Sequence, residues 1–188
     1  MITVKSRDEQ DRMRRAGKIL ANFFREIEAR VRPGVTTAEL DRFAEEFILS
    51  QKARPAFKGY HGFPATICAS VNEEVVHGMP GKRKLAEGDV VGVDVGAIVE
   101  GFYADAARTF AVGKVSDETL KLMRVTREAL DAGIRAVKPG NRISDISHAV
   151  EEAIKPHGYG IVRQYVGHGI GSQLHEEPQI PNYGKPHQ

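Results

Sequence analysis

The chain of 188 residues has a single cysteine, Cys68. One cysteine cannot form an intrachain disulfide, and this favours a reducing compartment. No uninterrupted apolar run comes near the ~18 residues that a membrane-spanning helix needs. The N-terminus enters charged residues directly, without the apolar segment of a signal peptide. We therefore expect a soluble, cytoplasmic protein with no membrane partner.

An excess of charge of one sign is also absent. The 27 basic and 25 acidic side chains leave a formal net charge of +2. A nucleic-acid-binding domain would concentrate positive charge on one face or in one run. The densest basic cluster is the short stretch GKRK at 81–84, which is typical of a solvated loop. We expect no nucleic-acid partner.

The sequence does contain four segments with helical apolar spacing. The first opens with a capping box of Ser6 and Glu9 and is expected to end at Pro33-Gly34, and the second opens in the same way with Thr36 and Glu39. After Pro55 the pattern changes to one that predicts strands, first at 64–71 and then at 89–113, where the sequence is rich in Val, Phe and Tyr with short turns.

A third helix is predicted from Ser116 and a fourth from about Ser144 to His157. The third carries an apolar stripe that we expect to face inward. Its members are Leu120, Met123, Leu130, Ile134 and Val137.

Two of the helical segments repeat. Residues 31–48 align without gaps on residues 137–154, sharing Val, Pro, Gly, a Glu-Glu pair and the final Ile. The repeat predicts two similar halves, 1–113 and 114–188, with helices outside a shared sheet. With the same offset, the strand pair at 90–112 would have its counterpart after residue 188, so we expect the second half to be incomplete.

Two aspartates are predicted to meet within the strand pair. A tight turn at Glu100-Gly101 would place Asp94 opposite Ala107 and make Asp105 its diagonal neighbour, roughly 7 Å away at Cβ. Two converging carboxylates repel each other, so a divalent cation, or two, is their natural occupant. In the alternative interpretation, one aspartate points to solvent and the other pairs with Arg108.

Three histidines occur in loops flanked by glycine or proline. His168 lies in GHGIG, His77 in VVHGMPG and His175 in LHEEP. An imidazole beside carboxylates is a common ligand for Zn, Mn, Fe or Co. A lone histidine is more often structural, so the functional interpretation depends on the combination.

Four motifs in order, NEEVVHGMPG, VGVDVGAIVEGFYADAARTF, VGHGIG and HEEP, make the chain resemble the methionine aminopeptidases of the short bacterial type I. The resemblance runs through essentially the whole chain. It implies an α+β pita-bread fold, a single domain over 1–188 in which an antiparallel sheet is covered by helices. It also implies a metal-dependent enzyme that removes the N-terminal methionine from nascent proteins when the second residue is small.

The resemblance also assigns residues to roles. Asp94, Asp105 and His168 would bind two divalent metal ions, which could be cobalt, manganese, iron or zinc. His77 and His175 would contact the substrate during catalysis. The pocket for the methionine side chain would be formed by Tyr60, Phe63 and Cys68, and Leu174 stands where some relatives carry an aromatic residue.

The family completes its metal site with two glutamates in strands downstream of HEEP, which these 188 residues do not include. We therefore expect the polypeptide to bind metal weakly, to turn over slowly or not at all, and to tend to associate, although the family is usually monomeric. Two alternatives stay open: a non-catalytic relative that binds peptide N-termini or a protein partner, and an X-Pro aminopeptidase or prolidase-like hydrolase. Proximity to the ribosome is implied by the family's role alone.

Overall fold

The computed structural model describes residues 2–188. It contains four α-helices, six β-strands and two short 3₁₀ turns. The helices are α1 (Arg7–Glu28), α2 (Thr37–Ser50), α3 (Asp117–Ala136) and α4 (Ile143–Ile154). The strands are β1 (Arg54–Pro55), β2 (Ile67–Val71), β3 (Val90–Val99), β4 (Phe102–Ala111), β5 (Gly167–Gly169) and β6 (Glu176–Ile180). The 3₁₀ turns are Tyr60–Gly62 and Lys155–His157.

Both predicted capping boxes are present. Ser6 and Glu9 form one at the start of α1, and Thr36 and Glu39 form the other at the start of α2. Each satisfies backbone N–H groups that the first helical turn leaves without a partner. The expected end of the first helix is wrong, because α1 ends at Glu28 and the chain then turns so that Val31 enters the core from outside the helix.

Strand β3 organises a four-stranded antiparallel sheet. It pairs with β4 along its whole length on one side, and with β1 and β2 on the other. One face of the sheet packs against α1 and α2, as its uninterrupted apolar side chains require. The largest side chains of this core are Leu20, Phe23, Ile27, Leu40, Ile48, Ile67, Val91, Val93 and Val95.

Helices α2 and α4 correspond in the way the repeat predicts. Their N-caps, Thr36 and Arg142, lie 106 positions apart. In each helix a carboxylate three residues later, Glu39 or Asp145, accepts a hydrogen bond from the N-cap N–H at 2.7 Å. The preceding glycines, Gly34 and Gly140, have φ of 88° and 90°. The equivalence of the two segments therefore extends from sequence to backbone conformation.

The predicted inward stripe of α3 is wrong. Four of its five members, Leu120, Leu130, Ile134 and Val137, are about half exposed or more, and Met123 is partly buried. The buried residues of this helix are Val125, Ala129 and Gly133. A side chain at Gly133 would meet Val150 and Ile146 of α4, so α3 approaches α4 along its small residues. Helix α3 carries apolar residues on two faces. The face that periodicity predicts to be buried is the exposed one, and the face with the smaller residues is buried.

The chain divides into two compact units. The first unit comprises Val4–Val115 and Ile170–Leu174, and the second comprises Ser116–Gly169 and His175–Gln188 together with the residues before Val4. The sheet of β1 to β4 belongs to the first unit, and the two-stranded pair β5–β6 to the second. In the second unit, the terminal segment follows α4 through the backbone N–H groups of Gly184 and His187, which donate to Glu151 and Asp145.

Within residues 2–188, every helix is too short or too polar to cross a membrane.

Gly92 and Gly96 lie on one face of β3, and together they provide a matched test of how tightly that face is packed. A Cβ atom at Gly96 would lie 2.6 Å from the Ala56 Cβ, whereas at Gly92 its nearest neighbour would be 3.7 Å away. We expect Gly96→Ala to lower the free energy of unfolding by about 1 to 3 kcal/mol, because the strand or Ala56 must shift. Gly92→Ala should be neutral or stabilising by up to about 1 kcal/mol. Urea unfolding of both variants checks this, and equal stabilities would contradict it.

Candidate active site

Two carboxylates lie together on one face of the β3–β4 hairpin. The turn residues Glu100 and Gly101 have φ of 47° and 82°, as a two-residue type I′ turn requires. Asp94 consequently pairs with Ala107, and Asp105 pairs with Gly96. The two aspartates are therefore diagonal neighbours, and the predicted register is confirmed.

Asp94 is influenced strongly by this arrangement. Burial, the adjacent Asp105 charge and a hydrogen bond to Asp105 together raise the pKa of Asp94 to about 8. Two close carboxylates can share a proton instead of both ionising. A divalent cation could replace that proton, and carboxylate oxygens are suitable ligands for one. The alternative pairing with Arg108 is not observed, because Arg108 lies 3.4 Å from Glu28.

Glycine keeps side chains away from Asp94 along its own strand. Side chains alternate between the faces of a strand, so Gly92, Asp94 and Gly96 share one face. Directly across β4, Asp105 lies opposite Gly96. The carboxylate pair thus occupies a part of the sheet where the neighbouring positions of β3 carry no side chain.

Cys68 lies on β2 directly opposite Asp94. It is only 6% exposed, and burial together with the carboxylates of Asp94, Asp105 and Asp41 raises the pKa of its thiol to about 12. A buried thiol of this kind behaves as a small apolar side chain and not as a nucleophile.

The predicted pocket residues belong to one apolar cluster. Cys68 is buried there, and Tyr60 and Phe63 pack against it while partly exposed. The other members are Ala56, Phe57, Ile98, Leu174, Tyr103 and Ile170. The segment that contains Leu174 is joined to β4 by a hydrogen bond of 2.8 Å from the Tyr103 N–H to the Gly171 carbonyl.

Sequence reasoning missed several members of this cluster. Ile98 and Tyr103 are opposite each other across the hairpin, so the predicted register already implied that they share a face. Phe57 and Ile170 offered no comparable signal, since neither lies in a strand and their proximity depends on loop conformations.

His77 is exposed and lies in the loop between β2 and β3. Its φ of 61° is in the left-handed region, which residues other than glycine rarely adopt. The next residue, Gly78, returns to β2, where its carbonyl accepts a hydrogen bond of 2.8 Å from the Ala69 N–H. The imidazole is thus carried by a loop that is fastened to the sheet.

His168 and His175 lie together in the second unit. Their ring centroids are 4.3 Å apart. The Nδ1 atom of His168 lies 2.9 Å from the Gly169 carbonyl oxygen, and because a carbonyl can only accept, Nδ1 carries the proton. This hydrogen bond leaves Nε2 as the nitrogen that can bind a metal, the usual arrangement for a histidine ligand.

The predicted metal ligands are divided between the two units. Asp94 and Asp105 belong to the first and His168 to the second. Nowhere in residues 2–188 do three or more His, Cys, Asp or Glu side chains form a group that could hold a metal ion. The structure therefore brings the two aspartates together and leaves the role of His168 as a prediction.

Comparison with known proteins identifies the family. The model of metallopeptidase family M24 matches residues 11–188. A methionine aminopeptidase of Clostridium acetobutylicum is 54% identical over 187 residues, which are 99% of this chain and 75% of that protein. The chain belongs to the methionine aminopeptidases of metallopeptidase family M24. The resemblance to the bacterial type I enzymes is confirmed.

Solved structures agree with this assignment. The methionine aminopeptidase of Thermotoga maritima superposes with a TM-score of 0.97 at 46% identity, covering 100% of this chain and 76% of that one. The α+β pita-bread fold is therefore confirmed. A Xaa-Pro dipeptidase of Bacillus anthracis is more distant, with a TM-score of 0.82, 28% identity and coverage of 95% of this chain and 49% of that one.

Methionine aminopeptidases of this family are metal-dependent, and the chain spans about three quarters of the length of the relatives it matches. The carboxylate pair fits such a cofactor, since Asp94 and Asp105 supply oxygen ligands and repel each other without a cation.

Cys68 should be inert in the folded aminopeptidase. Its low exposure and raised pKa predict that a disulfide reagent at pH 8 labels it only after unfolding in urea. A Lys18→Cys variant adds one exposed thiol and serves as the control, so one of its two thiols should react at once. Prompt labelling of the unsubstituted folded chain would contradict the assignment of Cys68 to the apolar cluster.

A divalent ion should stabilise the fold through the aspartate pair. At tenfold the dissociation constant of Mn²⁺, the free energy of unfolding should rise by about 1.4 kcal/mol. Asp94→Asn should abolish this gain, whereas Asp117→Asn at the exposed start of α3 should retain it. Thermal unfolding with Mn²⁺ or a chelator measures the effect, and an equal gain in all three proteins would show that the ion binds elsewhere.

Proposed function

We propose that the chain removes methionine from the N-terminus of polypeptides whose second residue is small, with nascent proteins as its substrates. The observation that carries the proposal is the adjacency of Asp94 and Asp105 on a glycine-bordered face of the sheet. Both are at positions where the family's motifs carry metal ligands. Ribosome proximity stays a prediction from the family's role.

Asp94, Asp105 and His168 would hold two divalent metal ions. Such ions, when bound, acidify a water molecule and polarise the peptide carbonyl. The aspartates suit this task because two buried, adjacent carboxylates favour a positive charge between them, as the raised pKa of Asp94 indicates. The Nδ1 hydrogen bond of His168 supports its role, since it fixes the ring and directs the basic lone pair to Nε2.

Tyr60, Phe63 and Cys68 would surround the methionine side chain of the substrate. The apolar cluster that contains them supports this assignment. A flexible thioether fits irregular apolar surroundings and gains from contact with aromatic ring edges. Cys68 connects the two parts of the site, because it belongs to the cluster and also lies opposite Asp94.

His77 and His175 would act on the scissile peptide. An imidazole can donate a hydrogen bond to a carbonyl oxygen, and it stabilises charge that develops there during attack by water. The exposure of both rings supports a role toward a ligand and not in the core.

A non-catalytic relative that binds peptide N-termini is the second candidate. It is favoured by the finding that residues 2–188 contain no group of three or more potential metal ligands. For the same reason, we expect the 188-residue polypeptide to bind metal weakly and to release methionine slowly. The X-Pro hydrolase alternative has less support, because the chain covers only half of the Xaa-Pro dipeptidase and is less identical to it.

Peptide hydrolysis at high polypeptide concentration tests the proposal. With Mn²⁺ or Co²⁺ present, methionine should be released from Met-Ala-Ser, while Met-Lys-Ser and Ala-Pro-Ala should stay intact. Asp105→Asn should reduce the rate by more than about 100-fold. Even the loss of a residue that only hydrogen-bonds a metal ligand commonly lowers activity by about 10 to 100-fold. Mass spectrometry of the products measures the release.

The outcomes separate the candidates. Preferential cleavage of Ala-Pro-Ala would favour the X-Pro alternative. Binding of Met-Ala-Ser without any hydrolysis would favour the non-catalytic one. Two tightly bound metal equivalents and rapid turnover would contradict the expected weakness of this polypeptide.

A further inference from the structure

The conformation of His77 needs an external constraint. Its exposed side chain sits on a backbone with φ of 61°, which side chains other than glycine disfavour. An exposed loop that was free to relax would leave this region. The loop between β2 and β3 must therefore be held by contacts close to His77, and two of them lie in the residues that directly follow it.

The first contact is at Gly78. Its N–H donates to the Ser70 hydroxyl at 3.1 Å, and its carbonyl accepts from the Ala69 N–H at 2.8 Å. A Cβ atom on Gly78 would lie 2.4 Å from the Ala69 carbonyl oxygen, so the close approach excludes any side chain. Ser70 is buried on β2 at 8% exposure, on the same face as Cys68.

The second contact is at Gly81. The hydroxyl of Thr37 accepts from the Gly81 N–H at 2.8 Å and donates to the Gly81 carbonyl at 3.2 Å. The Ala38 N–H donates to the same carbonyl at 3.0 Å. Thr37 is the first residue of α2 and is 2% exposed. The buried Thr37 hydroxyl thus forms hydrogen bonds with both the N–H and the carbonyl group of Gly81.

We infer that Ser70 and Thr37 are positioning residues for His77. Together with backbone hydrogen bonds from Ala69 and Ala38, their hydroxyls fasten Gly78 to β2 and Gly81 to the start of α2. The segment anchored in this way directly follows His77 and holds it in its left-handed conformation. The direction of the imidazole is then set by the sheet and by α2. The functional importance of that direction rests on the proposed role of His77 toward the substrate.

Isosteric substitution separates positioning from general stability. Thr37→Val keeps the shape of the side chain and removes both hydrogen bonds, while Thr37→Ser keeps the hydroxyl. Ser70→Ala independently removes the hydroxyl hydrogen bond at Gly78 and leaves the backbone hydrogen bond from Ala69 in place. The readout is the ring signals of His77 in NMR spectra at fixed pH, assigned with His77→Gln, alongside the amide signals of β3 and β4.

We expect the His77 ring signals to shift or split in Thr37→Val and Ser70→Ala. In Thr37→Ser they should return to their original positions. The amide signals of β3 and β4 should stay unchanged in all three variants. Unchanged ring signals in the two hydroxyl-deficient variants would overturn the inference. Loss of the native amide pattern in both would also overturn it, because the hydroxyls would then serve the whole fold. If only one variant folds, its ring signals decide.

Peptide binding connects this result to function. Addition of Met-Ala-Ser should move the His77 ring signals of the unsubstituted chain. Thr37→Val should weaken the affinity by about tenfold, the effect of losing one hydrogen bond, and Thr37→Ser should restore it. If the peptide moves no signal in the unsubstituted chain, the proposed role of His77 fails. The ring signals of the metal-free, peptide-free variants still decide whether the hydroxyls position it.

Discussion

The register of the β3–β4 hairpin is the constraint on which the site depends. A two-residue turn at Glu100 and Gly101 fixes the pairing of every following residue. A slip of one residue would send Asp105 to the opposite face, toward the helices. The turn itself is held by Arg15, whose two terminal nitrogens donate to the Glu100 carboxylate at 2.7 and 2.8 Å.

Features that depend on local chemistry could be predicted from the sequence. The capping boxes at Ser6 and Thr36, the hairpin turn and the diagonal aspartates each follow from residues close together in the chain. The repeat predicted the equivalence of α2 and α4, because backbone requirements such as the left-handed glycines are conserved between the two copies. The motifs then identified the family, and the comparisons confirm it.

Features that depend on tertiary choice could not be predicted. Helix α3 carries two apolar stripes, and periodicity cannot tell which one packs. The end of α1 at Glu28 similarly depends on Val31 finding a place in the core after the helix has stopped. The roles of Ser70 and Thr37 could not be predicted either, because their hydroxyls bind Gly78 and Gly81 only through the conformation of the loop between β2 and β3.

The face of β3 that carries Asp94 contributes little to its own support. Gly92 and Gly96 bring no side-chain packing there, while Val91, Val93 and Val95 are fully buried on the reverse face against α1 and α2. The face that carries the two aspartates is therefore supported by the packing on the opposite side of the sheet. Substitutions in the core-facing residues of α1 and α2 can therefore displace Asp94 and Asp105 without being near them.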